Sequence, residues 1–247
     1  MLRLFKNSRL RLTSGNNGMR YFKYAIGEIV LVVIGILIAL SINNWNQSRL
    51  DKKQSIEYHQ RLIEDMDRVI ERSNTLLERA NSTLTSIVNS VAVLEKGKIE
   101  TPKEKADLDY ALVWFSRFNY QTPDLSTLEE MKSNGDLNLI YDVKLRKRIV
   151  DFNGYLYTVA AIYDNLGMIV HGDLSYFDKF MRSYINLENL DVNFNYDFDQ
   201  MVSDPEFINR FSRLATHWRG SSYFAGQVER DAVKLKEEIQ NELEKLK

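Results

Sequence analysis

Residues 24–42, YAIGEIVLVVIGILIALSI, form an almost entirely apolar stretch of 19 residues. At ~1.5 Å per helical residue the stretch spans ~28 Å, which is close to the hydrocarbon thickness of a bilayer. It predicts a transmembrane helix and makes the chain a single-pass membrane protein. Three parts follow: a basic tail at 1–23, the transmembrane helix at 24–42 and a helical bundle domain at 43–247.

Charged residues on the two sides of the stretch predict its orientation. Six Lys and Arg residues precede it, and four lie in the 20 residues that follow: Arg3, Lys6, Arg9, Arg11, Arg20 and Lys23 before, and Arg49, Lys52, Lys53 and Arg61 after. Because basic flanks favour the cytoplasm, we expect a cytoplasmic N-terminus, a periplasmic C-terminal domain and a location in the cell inner membrane. A cleaved signal peptide fits less well, because the apolar run exceeds the roughly 7–15 residues of a signal core.

Polar and small residues in the stretch point to contacts between helices. Gly27, Gly35 and Ala39 are predicted to form a stripe of small residues. Together with Glu28, these residues are candidates for helix association or for an ion pathway. Two interpretations of Glu28 remain open: a ring of Glu28 carboxylates in an oligomer that serves as an ion or proton site, or a side chain that reaches headgroups or a neighbouring chain's base. The predicted membrane-interface residues are Lys23, Tyr24, Asn43, Asn44, Trp45 and Asn46.

Composition argues against several classes of function. The chain has no cysteine, which excludes disulfides and thiolate chemistry. Residues 43–247 hold 27 basic and 33 acidic residues, and an acidic domain is a poor partner for nucleic acid. The sequence has no glycine-rich phosphate loop and no cluster of metal-ligating residues. We therefore expect no catalytic residue, no cofactor and no metal. The Asp-rich segment 191–199, DVNFNYDFD, superficially resembles a calcium loop, but it lacks the loop glycine and the terminal Glu of an EF-hand.

Heptad spacing predicts that one long helix follows the membrane span. Apolar residues recur every seven positions from Ile56 to Val91, and a second series runs from His59 to Leu94. Leu62, Val69 and Leu76 also fall on the apolar side, which makes the stripe wider than a two-stranded coiled-coil seam and favours a helix in a bundle. We expect this helix to end before Gly97, with His59 packed in the core. Further helices are predicted at three capping boxes, Thr101–Glu104, Ser126–Glu129 and Ser203–Glu206, and at Asp142.

The remaining segments complete an all-α prediction. We expect the helix from Asp142 to continue its spacing through Met181 and Tyr184, with a kink near Gly172. Loops are predicted at 119–124 and 186–202, and the charged end of the last helix, KLKEEIQNELEKLK, is expected to be solvated. Three long and two shorter helices bury their apolar faces best as an up-down bundle.

Two segments resemble an uncharacterised family from Bacteroidetes. They are YAIGEIVLVVIGILIALSINNWN at 24–46 and TLEEMKSNGDLNLIYDVKLRKRIVDF at 127–152. The resemblance implies an inner-membrane location and a helical domain behind the anchor, and it brings no activity, substrate or catalytic residue. It places Gly27, Glu28 and the Asn43–Asn46 segment at matching positions.

We expect a structural or interaction module that binds the lipid bilayer and either forms a homo-oligomer or serves as an accessory subunit of a larger envelope complex. One alternative is a channel or ion-pathway component that uses Glu28. A second alternative is a ligand-sensing bundle with a pocket of aromatic residues: Tyr110, Trp114, Phe118 and Tyr155.

Overall fold

The computed structural model describes residues 18–118, 123–188 and 192–247, and most of these residues are helical. The elements in chain order are α1 Gly18–Lys96, α2 Pro102–Trp114, α3 Ser126–Asn134, a 3-10 helix Asp136–Leu139, α4 Val143–Gly172, α5 Leu174–Phe177, β1 Met181–Ile185, β2 Val192–Tyr196, α6 Phe198–Ser203 and α7 Pro205–Leu246. Residues 1–17 of the predicted basic tail, residues 119–122 and residues 189–191 lie outside the described residues.

The chain divides into two compact units, one up to Gln54 and one from Ser55 to Lys247. In the N-terminal unit the large apolar side chains of residues 26–42 are exposed on the single chain, from Ile26 at 44% to Ile42 at 63%. Within the described residues, α1 is a helix that is long and apolar enough to cross a membrane, by length and composition.

In the second unit, α7 runs antiparallel to both α1 and α4. Four pairs of residues fix these directions: Asp67–Lys236 and Asn81–Ser222 between α1 and α7, and Arg148–Glu238 and Tyr163–Ser221 between α4 and α7. Along each pair of helices, residue numbers rise on one partner and fall on the other. It follows that α1 and α4 point in the same direction.

The chain returns between α1 and α4 through α2, α3 and the 3-10 helix. Asp107 accepts a hydrogen bond from Asn89 on α1 at 2.8 Å. Further along, Thr127 contacts Asp65 and Asp136 contacts Tyr58. As residue numbers rise along this segment, the numbers of its partners on α1 fall. The segment therefore runs antiparallel to α1. The second unit is therefore an up-down bundle of four antiparallel segments. The first, third and fourth segments are α1, α4 and α7, and the second consists of the short helices α2, α3 and the 3-10 helix.

The buried face of α1 contains two of the three predicted sets of residues. Residues of the first heptad series, Ile56 to Val91, are only half-buried, whereas His59, Met66, Ser73, Ala80, Ile87 and Leu94 of the second series are buried. A third series is equally buried: Leu62, Val69, Leu76, Thr83 and Ser90. The face widens because α1 has neighbours on more than one side, as in a bundle rather than a two-stranded coiled coil.

Two apolar clusters form the core of the second unit. One contains Leu62, Val69, Ile149, Leu156 and Ile239, and the other contains Ile87, Leu108 and a group of Phe side chains. Phe118 packs against both clusters. In the second cluster, Phe177 lies edge-on to Phe115 and Phe207, with ring centroids 5.0 and 5.4 Å apart.

The capping box at Thr101 is confirmed. The Glu104 amide donates to Thr101 Oγ1 at 3.1 Å, and the Glu104 carboxylate accepts the Thr101 amide at 2.9 Å. The predicted end of α1 before Gly97 is also confirmed, and Gly97 and Gly135 both adopt a left-handed φ of 78° after their helices.

The other two predicted capping boxes are wrong. Ser126 lies inside α3, whose N-cap Leu125 makes no side-chain bond, and the carboxylate of Asp65 on α1 accepts the Thr127 amide at 3.0 Å instead. At α7 the cap is Asp204, which accepts the amides of Glu206 and Phe207. In both places a carboxylate serves the helix N-terminus in place of the predicted serine.

The predicted helix through Met181 and Tyr184 is also wrong. Residues 181–185 form β1, which pairs antiparallel with β2 in the register Met181↔Tyr196 to Ile185↔Val192. Tertiary contacts hold this hairpin: the Asp197 amide donates to the Phe180 carbonyl at 2.9 Å, and Tyr196 donates to Asp109 on α2 at 2.8 Å. The segment 186–202, predicted as a loop, thus contains β2 and α6.

The end of α7 is packed rather than solvated. Leu235, Ile239, Leu243 and Leu246 recur at intervals of three or four and are buried. The charged residues between them occupy the other faces of the helix. The high overall charge of this segment is therefore compatible with one buried apolar face.

Candidate functional site

The candidate residues of the apolar segment all lie on one continuous helix, so helical spacing fixes their directions. At ~100° per residue, Glu28, Gly35 and Ala39 project within about 20° of one direction, and Asn46 shares that direction. Gly27 lies about 80° away from Gly35 by the same spacing. The predicted small-residue stripe therefore contains Gly35 and Ala39 but not Gly27.

This face, which we call the Glu28 face, is open on the single chain. Glu28, Gly35, Ala39 and Asn46 are all exposed, and a Cβ placed on Gly35 would meet no atom within 4 Å. A glycine and an alanine four residues apart leave room for another helix backbone to approach closely. The face thus combines space for a second helix with polar groups that can bond across an interface.

Residues at the end of the apolar stretch suit a membrane interface. Lys23, Tyr24, Asn43 and Asn44 are exposed. The Arg49 guanidinium lies 5.8 Å from the centre of the exposed Trp45 ring. Tryptophan beside a cation is typical of the headgroup region, where an apolar ring and a polar group are both solvated.

A polar contact region joins α1 to α3 and to the turns that follow it. Ser55 donates to the Leu139 carbonyl and Tyr58 to the Asp136 carboxylate, both at 2.7 Å. Arg61 forms an ion pair with Glu130. The turn that follows α3 is thus held to α1 by specific hydrogen bonds.

His59 is buried in the core, as predicted. Its Nδ1 lies 2.7 Å from the Ser55 carbonyl, which can only accept, so Nδ1 carries the proton. The buried Nε2 atom has no hydrogen-bond partner in the described part of the chain. His59 therefore acts as a buried packing residue here rather than as a ligand.

The predicted aromatic pocket is assembled only in part. Tyr110 stacks on Trp114 with centroids 6.0 Å apart, and Phe118 packs on Trp218 at 4.3 Å. Tyr155, by contrast, packs against the other core cluster. Sequence reasoning missed Trp218, whose indole N–H donates to the Phe115 carbonyl at 3.0 Å, because the two residues lie far apart in the chain.

Two tyrosines in the second unit have strongly perturbed ionisation. Burial raises the pKa of Tyr163 to about 12, although its hydrogen bond with Ser221 opposes the shift. Burial, together with the hydrogen bond to Asp204, raises the pKa of Tyr176 to about 12. Both hydroxyls stay protonated near neutrality and serve as structural donors, Tyr163 to the Ser221 carbonyl and Tyr176 to Asp204.

The described residues contain no group of three or more His, Asp or Glu side chains placed to hold a metal ion. Of the Asp-rich segment 191–199, Asp191 lies outside the described residues. Asp197 caps α6 by accepting the Gln200 amide at 3.0 Å. The described residues of this segment thus form β2 and the start of α6.

Comparison with known proteins yields one family. No curated protein and no solved structure matches the chain. A family of unknown function, DUF6090, matches residues 28–203, which begin at Glu28 and end at the last residue of α6. The match covers more than half of the chain and includes both the Glu28 face and the polar contact region. The chain therefore belongs to the DUF6090 family of unknown function.

Proposed function

We propose that the protein is a single-pass inner-membrane protein whose helical bundle acts as a structural or interaction module in the cell envelope. Its N-terminus lies in the cytoplasm and its bundle in the periplasm. The protein works as a homo-oligomer or as an accessory subunit of a larger complex. The proposal assigns it no enzymatic reaction and no nucleic-acid partner.

The Glu28 face is the observation that supports this proposal. A helix that serves only as an anchor needs apolarity alone, whereas this helix carries a carboxylate, a glycine and an alanine in one direction. A carboxylate in hydrocarbon is costly unless it faces protein or water. Association through this face would remove Glu28 from lipid and would use the space beside Gly35.

The mass of the full chain in native-membrane discs, with bound proteins identified in the same sample, tests the proposal. We expect Glu28→Ala and Gly35→Leu to lower the mass of the assembly. Gly27→Leu is the matched control, because it makes the same substitution about 80° away on the helix. A wild-type mass for Glu28→Ala and Gly35→Leu would refute association through this face. A stoichiometric larger partner would identify an accessory subunit.

Glu28 also supports a second candidate, a channel or ion-pathway component. A ring of carboxylates near one end of an oligomeric span is a typical cation-selective element. Ion flux into liposomes that contain the full chain distinguishes the two candidates. Flux that is lost in Glu28→Ala would favour the pathway, and the absence of flux at every pH would remove it.

A further inference from the structure

Two arginines from different parts of the chain share one tryptophan ring. The guanidinium carbon of Arg79 on α1 lies 5.4 Å from the centre of the Trp114 ring, and that of Arg117, just after α2, lies 4.9 Å from it. Among the described residues no carboxylate forms an ion pair with either arginine. Two positive charges thus lie beside one ring, and the described residues supply no ion-pair partner for either.

A second ring with two cations shows what a purely structural arrangement looks like in this protein. Arg210 lies 4.3 Å and Lys179 lies 5.0 Å from the centre of the Tyr176 ring. There Arg210 forms ion pairs with Asp173 and Glu206, and the Tyr176 hydroxyl donates to Asp204. Carboxylates thus pair with Arg210 at Tyr176, whereas the described residues supply no such partner for Arg79 or Arg117 at Trp114.

Both arginines line the same cleft. Its walls are Leu76, Arg79, Arg117, Phe118, Tyr163, Trp218 and Ser221, and its volume is about 10 Å³. That volume holds about one water molecule, so a ligand would occupy the mouth of the cleft rather than its interior. Arg117 is exposed, Arg79 is half-buried, and Tyr163 and Ser221 hydrogen-bond to each other at the wall.

We propose that Arg79 and Arg117 form a binding site for a small free oxyanion, a carboxylate or a phosphate, at the mouth of this cleft. Guanidinium groups present planar pairs of N–H donors that match such anions. The face of Trp114 holds the two guanidiniums in place through cation–π contacts. A bound anion supplies the negative charge that the surrounding residues lack. This site is separate from the Glu28 face.

Thermal unfolding of the full chain in mild detergent tests the site. Inorganic phosphate and succinate are titrated at constant pH and ionic strength, with chloride as the reference salt. We expect phosphate, succinate or both to raise the Tm above its value in chloride, because a ligand that binds only the folded state stabilises it. A response to phosphate alone or to succinate alone identifies the class of anion.

Variants locate the response. Arg79→Gln/Arg117→Gln should weaken the apparent affinity on the order of tenfold or more, since each charged hydrogen bond contributes substantially to binding. Arg182→Gln/Arg213→Gln removes the same charge elsewhere and should respond as wild type does. Arg117→Gln alone changes an exposed side chain and tests the site should the double variant fail to fold.

Two results would overturn the proposal. In the first, phosphate and succinate shift the Tm of wild type no more than chloride does. In the second, Arg182→Gln/Arg213→Gln loses the response as fully as Arg79→Gln/Arg117→Gln, which would show a general effect of net charge.

Discussion

Asp65 offers a sharp test of how α3 is held on the bundle. Its carboxylate is 1% exposed, accepts the Thr127 amide at 3.0 Å and pairs with Arg68. Asp65→Ala removes the capping acceptor, which costs about 0.5–2 kcal/mol at a typical helix N-terminus. It also leaves the buried Thr127 N–H without a partner, at about 1–3 kcal/mol. Because the two costs overlap, we expect a loss of about 2–3 kcal/mol.

Thermal unfolding of the full chain in mild detergent, followed by circular dichroism, measures this loss. At ~2–4 °C per kcal/mol for a chain of this size, the Tm should fall by roughly 4–12 °C. Hydrogen exchange should accelerate first in α3 and in the 3-10 helix after it, since these are the elements that Asp65 fastens to α1.

Asp67→Ala is the matched control on the same helix. The Asp67 side chain is 55% exposed and pairs with Lys236 at 2.5 Å. An exposed ion pair is worth about 0–1 kcal/mol, so this variant should stay close to wild type. If Asp65→Ala destabilises the protein no more than Asp67→Ala does, the idea that Asp65 caps α3 across the bundle is wrong.

Two further predictions concern the aromatic side chains of the second unit. Phe177→Ala removes a ring that is 1% exposed and should lower the free energy of unfolding, measured by thermal unfolding, by about 3–5 kcal/mol. The control Leu187→Ala changes a side chain that is 86% exposed and should alter it by less than about 0.5 kcal/mol. Equal effects of the two variants would contradict the described core. The pKa of Tyr163 is raised from 10 to about 12, so its neutral form stabilises the fold below pH 10 and this contribution is lost as the pH rises towards 12. The free energy of unfolding should therefore fall by roughly 2–3 kcal/mol over that interval in wild type, and Tyr163→Phe should remove that part of the slope; an unchanged slope would refute the assignment.

Much of the helical organisation could be predicted because it depends on local pattern. The apolar stretch, the length of α1 and the Thr101 capping box all follow from residues within a few turns of one another. Local spacing also placed Gly35 and Ala39 on one face, although the predicted stripe wrongly included Gly27. The same local reasoning failed at residues 181–185, where the spacing of Met181 and Tyr184 suited a helix and the strand is held by partners elsewhere in the chain.

The sequence by itself determined the apolar segment, the all-α character and the absence of cysteine chemistry, because periodicity and composition act over short distances. Only the tertiary structure decided that Asp65 caps a helix more than sixty residues away and that Arg79 and Arg117 meet at Trp114. No local signal marks such pairs, since the partners are far apart in the sequence. They come into contact because α2, α3 and the 3-10 helix run antiparallel to α1 and lie beside it.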